Sequence, residues 1–169
     1  MKKITLLFSM FIIMTCFLGF KIIASPNLQR QQNTKLYENK TYNVLLQYNK
    51  DWKLNPQYTE RYEGKNGFFQ ISASTGENTK IDEVVKDEIN HLLKPYGSNP
   101  RITNETIQGQ EARLIIPSND QNKEFKNQAE LIVKYPKPIK INNETYYYFI
   151  LWADKNNIQE ISKTIKFLT

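Results

Sequence analysis

The sequence predicts an α+β domain built on a central antiparallel sheet of about six to seven strands with two main helices, and three observations carry that expectation. Short segments in which apolar and polar residues alternate recur between turn-forming residues, the period of strands. Two segments switch to helical spacing, one after the third strand and one at the C terminus. Between them ETYYYFILWAD, residues 144–154, is apolar or aromatic on both faces, as a strand covered on both sides should be. Strands clustered between two helices favour antiparallel pairing.

Each element follows from its residues. In TYNVLLQYNKDWKL, Tyr42, Val44, Leu46 and Tyr48 alternate with Asn43, Leu45 and Gln47, a strand with one mainly buried face. YTERYEGKNGFFQISAS reads as two strands joined around Glu63 to Gly67, where Gly64, Asn66 and Gly67 accept positive φ. These glycines match neither a phosphate loop nor a dinucleotide pattern, and no helix follows directly. From Thr79 the period changes: Ile81, Val84, Val85, Ile89, Leu92 and Leu93 form one helical stripe. Thr79 is placed to cap it, Asp82 and Glu83 suit its first turn, and Pro95 and Gly97 should stop it.

RITNETIQGQEARLIIP predicts a hairpin around Gln108 and Gly109, with Ala112, Leu114 and Ile116 on one face and Arg113 and Ile115 on the other. A polar loop, SNDQNKEFKN, separates it from QAELIVKYP and KPIKINNE, which lead into the doubly apolar strand and should pair with it. In DKNNIQEISKTIKFL, Ile158, Ile161, Ile165 and Leu168 fall at helical spacing, and Asn157 and Glu160 resemble a capping box.

The N terminus reads as a targeting segment. Lys2 and Lys3 precede an apolar run from Ile4 to Phe20, followed by Lys21 and the small residues Ala24 and Ser25, so residues 1–25 are expected to be an export signal or membrane anchor. Ile22 and Ala24 suit cleavage after Ala24, whereas Ile4 to Ala24 approaches the ~20 residues that span a bilayer. Lipidation of Cys16 is a third outcome, but Thr15 stands where a smaller residue is wanted, which favours the reading of Cys16 as one more apolar residue. Residues 26–39 are polar and aperiodic, a tether, and residues 40–169 the domain.

Composition limits the chemistry. Cys16 is the only cysteine, so the exported part has neither a disulfide nor a catalytic thiol and must hold together by its core. Without Lys2, Lys3 and Lys21, the 23 basic residues fall to 20 against 17 acidic, a net of +3, which gives nucleic-acid binding little support. His91, the sole histidine, lies near the end of the first helix, where a cation is favoured; a zinc site would need more nitrogen or sulfur ligands. No serine sits in a nucleophile elbow, and Asp82, Glu83, Asp87 and Glu88 fall on a helix surface. No catalytic residue, metal ligand or cofactor is therefore nominated. The Asn-x-Thr matches at Asn39, Asn104 and Asn143 arise readily by chance in so Asn-rich a chain.

Two groups of residues are candidates for contacts. Tyr147, Phe149, Leu151, Ile132 and Ile115, with Leu45, are out of phase with the better-defined buried set and make up a candidate binding face, internal packing being the plainer explanation. Lys134, Lys137 and Lys140, with Pro136 and Pro138 between them, are expected to form a basic hairpin tip and make up a candidate anion contact, ordinary loop solvation being the plainer explanation.

The succession YNVLLQYNKDWKL, YEGKNGFFQISA, GQEARLIIP, AELIVKYPKPI and YYYFILWADKNNIQEISKTIKFL resembles the small extracellular PsbP-like domains of Gram-positive bacteria, which stand alone or are attached to membrane sensor or propeller proteins. The resemblance covers most of residues 40–168 and rests on a strand pattern, not on a catalytic signature. It implies an α/β/α sandwich and carries over no active-site residue. The expectation is thus a noncatalytic extracytoplasmic binding or accessory domain of the cell envelope, secreted or held at the outer face of the membrane, with an envelope protein or anionic cell-wall polymer as partner. An extracellular hydrolase with an unrecognised active site is the alternative, and a structural accessory to a membrane sensor a third reading.

Overall fold

The computed structural model describes residues 33–76 and 79–168; the expected export segment, Cys16 and the first residues of the expected tether lie outside them. The doubly apolar segment is strand β9 (Glu144–Asp154), and its place explains its composition. It is the middle strand of a seven-stranded antiparallel sheet with the order β3 (Lys53–Leu54), β4 (Arg61–Gly64), β5 (Gly67–Ser74), β9, β8 (Gln128–Ile141), β7 (Gln110–Ile116), β6 (Arg101–Ile107). A second sheet of three strands has the order β1 (Thr34–Asn39), β2 (Val44–Asn49), β10 (Lys166–Phe167).

Both faces of the large sheet are covered, each by a different kind of layer. On one side helix α1 (Ile81–Ile89) lays Ile81, Val84 and Val85 against Ile115, Ile132, Tyr148 and Ile150. On the other, Phe69, Leu114, Leu131, Phe149 and Leu151 pack beneath the small sheet and the five-residue helix α2 (Ile158–Ser162). Mixed α+β architecture around an antiparallel sheet is therefore present, but the second outer layer is mainly strand where the resemblance implied helix. β9 is apolar throughout because its alternate residues serve two separate cores.

Three boundaries differ from the sequence expectation. Residues 34–39, read as tether, form β1, in register with β2 from Thr34 opposite Asn49 to Asn39 opposite Val44. Polar side chains dominate the segment because only Tyr37 turns inward, into an aromatic cluster with Tyr62 and Phe69 at ring separations of 5.5 and 5.3 Å. Helix α1 starts after Lys80 instead of being capped by Thr79, with the Glu83 carboxylate accepting from the Lys80 N–H at 3.3 Å. It also ends at Ile89, before Leu92 and Leu93, because Tyr96 must turn back under the helix, where it is 1% exposed. His91 falls in this loop, and its Nδ1 accepts from the Leu93 N–H.

The C-terminal helix is likewise cut short. Thr164 closes it, its Oγ1 donating to the Ile161 carbonyl at 2.7 Å, and the chain then pairs with β2 as β10. The capping box is absent: the Asn157 amide donates to Asp154 Oδ2 at 2.6 Å and to the Asn66 carbonyl at 3.0 Å. Among the described residues no helix is long and apolar enough to cross a membrane.

Candidate functional site

The lysines expected at a hairpin tip lie instead within one strand: β8 runs for 14 residues, pairing with β9 on either side of a break in register between Lys134 and Ile139. Lys134 stands opposite Tyr148 and Ile139 opposite Tyr146, so residues 135–138 bulge out against Tyr147 alone. Pro136 and Pro138 have no N–H to give to a ladder, which makes this the place where the strand must leave it. Tyr135 pins the bulge from below: it is buried, packs edge-on against Phe149 and Phe167, and its hydroxyl donates to the Tyr42 carbonyl at 3.0 Å. Pro136, Lys137 and Pro138 are consequently held in solvent.

Beside the bulge, between it and the N terminus of α1, lies a cleft of about 560 Å³ whose walls include Lys134, Pro138, Tyr147, Thr79 and Lys80. Tyr148 closes one side, donating to the Thr79 carbonyl at 2.6 Å. Gly76 approaches the same ring so closely that a Cβ there would meet it at 2.8 Å. Asp82 and Glu111 also line the cleft, but both are engaged by the buried Arg113: Nε donates to Asp82 at 2.7 Å and Nη2 to Glu111 at 2.8 Å. These bonds, that to Asp82 foremost, hold the guanidinium pKa above its ordinary value. The cleft thus combines the lysines 80 and 134, the positive end of the α1 dipole and two carboxylates already partnered by arginine.

The two sequence-predicted groups fare differently. Lys134, Lys137 and Lys140 are all exposed and project from or beside the bulge; among the described residues none has a carboxylate within ion-pairing distance. The candidate binding face does not exist as a face. Ile115 and Ile132 are buried under α1, whereas Phe149 and Leu151 are buried on the opposite side under the small sheet, all four at 0% exposure. Alternation along β9 separates its odd residues from the helix-covered surface, so a set defined by being out of phase was divided between two cores. Of these five only Tyr147, freed from the alternation by the bulge, reaches the surface, in the cleft beside Lys134; Leu45 is half-buried in the small sheet, opposite Glu38 and Lys166.

Sequence reasoning missed a second polar cluster. Glu130 is wholly buried under α1; its Oε2 accepts from the Tyr96 hydroxyl at 2.5 Å, and that hydroxyl accepts from Trp152 Nε1 at 3.2 Å. Oε1 has no hydrogen-bond donor among the described residues. Burial first, and then the nearby Glu88, push the carboxyl's pKa well above the usual range, which favours its neutral form. A glutamate inside the apolar run AELIV was the available signal. The cluster opens into none of the clefts described here and fastens the Tyr96 loop to the sheet.

A third cluster sits at the end of the sheet where β9 stops. Asp154 accepts from Asn157, the Asn156 N–H at 3.1 Å and the Phe68 N–H at 3.4 Å. Glu63 accepts from Arg61 at 2.8 Å and from Asn55 at 2.8 Å, and the Arg61 bond lowers its pKa. Each carboxylate is committed to holding a turn. Among the described residues no group of three or more His, Cys, Asp or Glu is arranged to hold a metal.

Comparison with known proteins adds little to this geometry. No family model matches the chain, and no curated protein matches it either. Among solved structures it is similar to the solution structure of the cyanobacterial PsbP protein CyanoP from Synechocystis sp. PCC 6803, with a TM-score of 0.44 and 8% identity over 80% of this chain and 92% of that one. A likeness of that degree assigns neither family nor function.

Proposed function

We propose that the protein is a noncatalytic extracytoplasmic binding or accessory domain of the PsbP-like type suggested by its strand pattern, and that it contacts an anionic cell-wall polymer through the β8 bulge. The observation that carries this reading is the bulge itself: two prolines and a buried tyrosine hold Lys134, Lys137 and Lys140 in solvent, without carboxylate partners among the described residues, next to a cleft that includes Tyr147 and the N terminus of α1. Clustered cations that no internal ion pair neutralises attract polyanions by long-range field as well as by contact. The carboxylates nearest the cleft are held by Arg113, which suits binding better than proton transfer.

The test is cosedimentation of the folded protein with purified anionic cell wall. Replacing Lys134, Lys137 and Lys140 together with glutamine should reduce retention about tenfold while leaving the circular dichroism spectrum unchanged. Retention equal to that of the unsubstituted protein would remove the basis of the proposal.

A further inference from the structure

We infer that the opposite end of the domain, where Leu92 and Leu93 project, rests against an anionic lipid bilayer. Leu92 is 96% exposed and Leu93 67% exposed, adjacent at the tip of the loop after α1. Their exposure is imposed by the loop's base. Tyr96 is locked to Glu130, the Pro95 carbonyl accepts from the Gln121 side chain at 2.5 Å, and the Tyr96 carbonyl accepts from the Ser118 N–H at 2.9 Å. With Tyr96 drawn inward, the two leucines are held out and have no route to the core. A pair of adjacent leucines held in water is costly unless something apolar receives them.

The path of the chain indicates what receives them. A series of contacts links the loop to the first described residue: Gln121 bonds the carbonyls of both Pro95 and Gln128, Gln128 stands opposite Asp154, Asp154 holds Asn157, and Asn157 shares a cleft with Asn33. Asn33 itself accepts from the Lys50 N–H at 3.0 Å. The chain therefore enters the domain at the end that carries the leucines. Only ~12 residues separate Asn33 from the apolar run Ile4 to Phe20, a reach of at most about 40 Å. The loops of this end expose Lys50, Lys65, Lys94, Lys123, Lys126 and Lys155 against Asp51, Asp120 and Glu124, with the half-buried Glu63 at 3.9 Å from Lys126, so cations remain in excess. Leucines held out at an end whose loops carry an excess of exposed lysines are the two-part signal by which peripheral surfaces hold to anionic lipid.

The experiment uses the full chain in vesicles containing phosphatidylglycerol, in a Cys16→Ser background. A polarity-sensitive fluorophore is attached at Leu92→Cys or, as the control at the other end, at Lys137→Cys. A nitroxide-labelled lipid should quench the label at position 92 by about half or more and leave that at 137 unquenched, with emission blue-shifted only at 92. Any other pattern, whether both labels in water, both quenched or only 137 quenched, overturns the orientation. In vesicles of phosphatidylcholine alone, quenching at 92 should fall at least about twofold; unchanged quenching would overturn the part assigned to the lysines.

Discussion

Glu130 shows at the scale of one residue how a core can carry a pH dependence. Its folded pKa lies above the unfolded value, so the neutral form it contributes to stability is fully present below the unfolded pKa of about 4 and is lost as pH rises through the folded pKa. Denaturant midpoints measured at constant ionic strength should therefore decline from about pH 5 upward, and Glu130→Gln should flatten part of that decline. Glu88, raised by its own burial, contributes in the same direction and should remain in the variant. Glu130→Ala is a different case, since it leaves the Tyr96 hydroxyl without its acceptor and opens a cavity; it should cost about 2–4 kcal/mol. Two glycines give a matched pair. Gly67 has φ of 134°, and a Cβ there would meet Asp154 Oδ2 at 2.0 Å, whereas Gly109 has φ of 76° with nothing within 4 Å. Thermal melts should show Gly109→Ala costing about 1 kcal/mol, the strain alone, and Gly67→Ala clearly more.

At the scale of elements, β1 is the segment whose role composition concealed. Its one inward residue, Tyr37, stands among Tyr48, Tyr62 and Phe69, with its hydroxyl donating to Glu60. Tyr37→Ala should destabilise the fold by about 3–5 kcal/mol, as other large-to-small changes in aromatic cores do, and a chain beginning at Lys40 should be at least as unstable. Urea titration of both would check this; a stable chain lacking β1 would restore residues 34–39 to the tether. The helices err the other way, with periodicity extending past their true ends. Leu92 and Leu93 continue the stripe of α1, and Ile165 and Leu168 that of α2, but Tyr96 in one case and the open edge of β2 in the other form stronger contacts than another helical turn. Element types were legible in the hairpins at Glu63–Gly67 and Gln108–Gly109, where turn residues with positive φ announce themselves.

At the scale of the whole molecule the two ends differ in chemistry. The end with the β8 bulge presents cations beside a cleft, and the end where the chain enters presents two exposed leucines and several loop lysines. If the bulge binds polyanions by charge, its affinity should fall steeply between about 0.05 and 0.5 M salt, as the screening length contracts from more than 10 Å to a few, and the triple Lys→Gln variant should show a shallower slope. The sequence by itself determined that a doubly apolar strand lies at the centre of an antiparallel sheet, because a run such as YYYFILWA can be stable only between two layers. It did not determine that the stretch around Pro136 and Pro138 is a bulge within one strand instead of a hairpin tip, although prolines that cannot donate to a ladder marked the place. Only the tertiary structure decided which layer covers which face, and so that Ile132 and Phe149 belong to separate cores and that Tyr147 alone comes to the surface. The physical reason is that alternation records which residues are on the same side of a strand, whereas what lies on that side is settled by contacts between segments far apart in the chain.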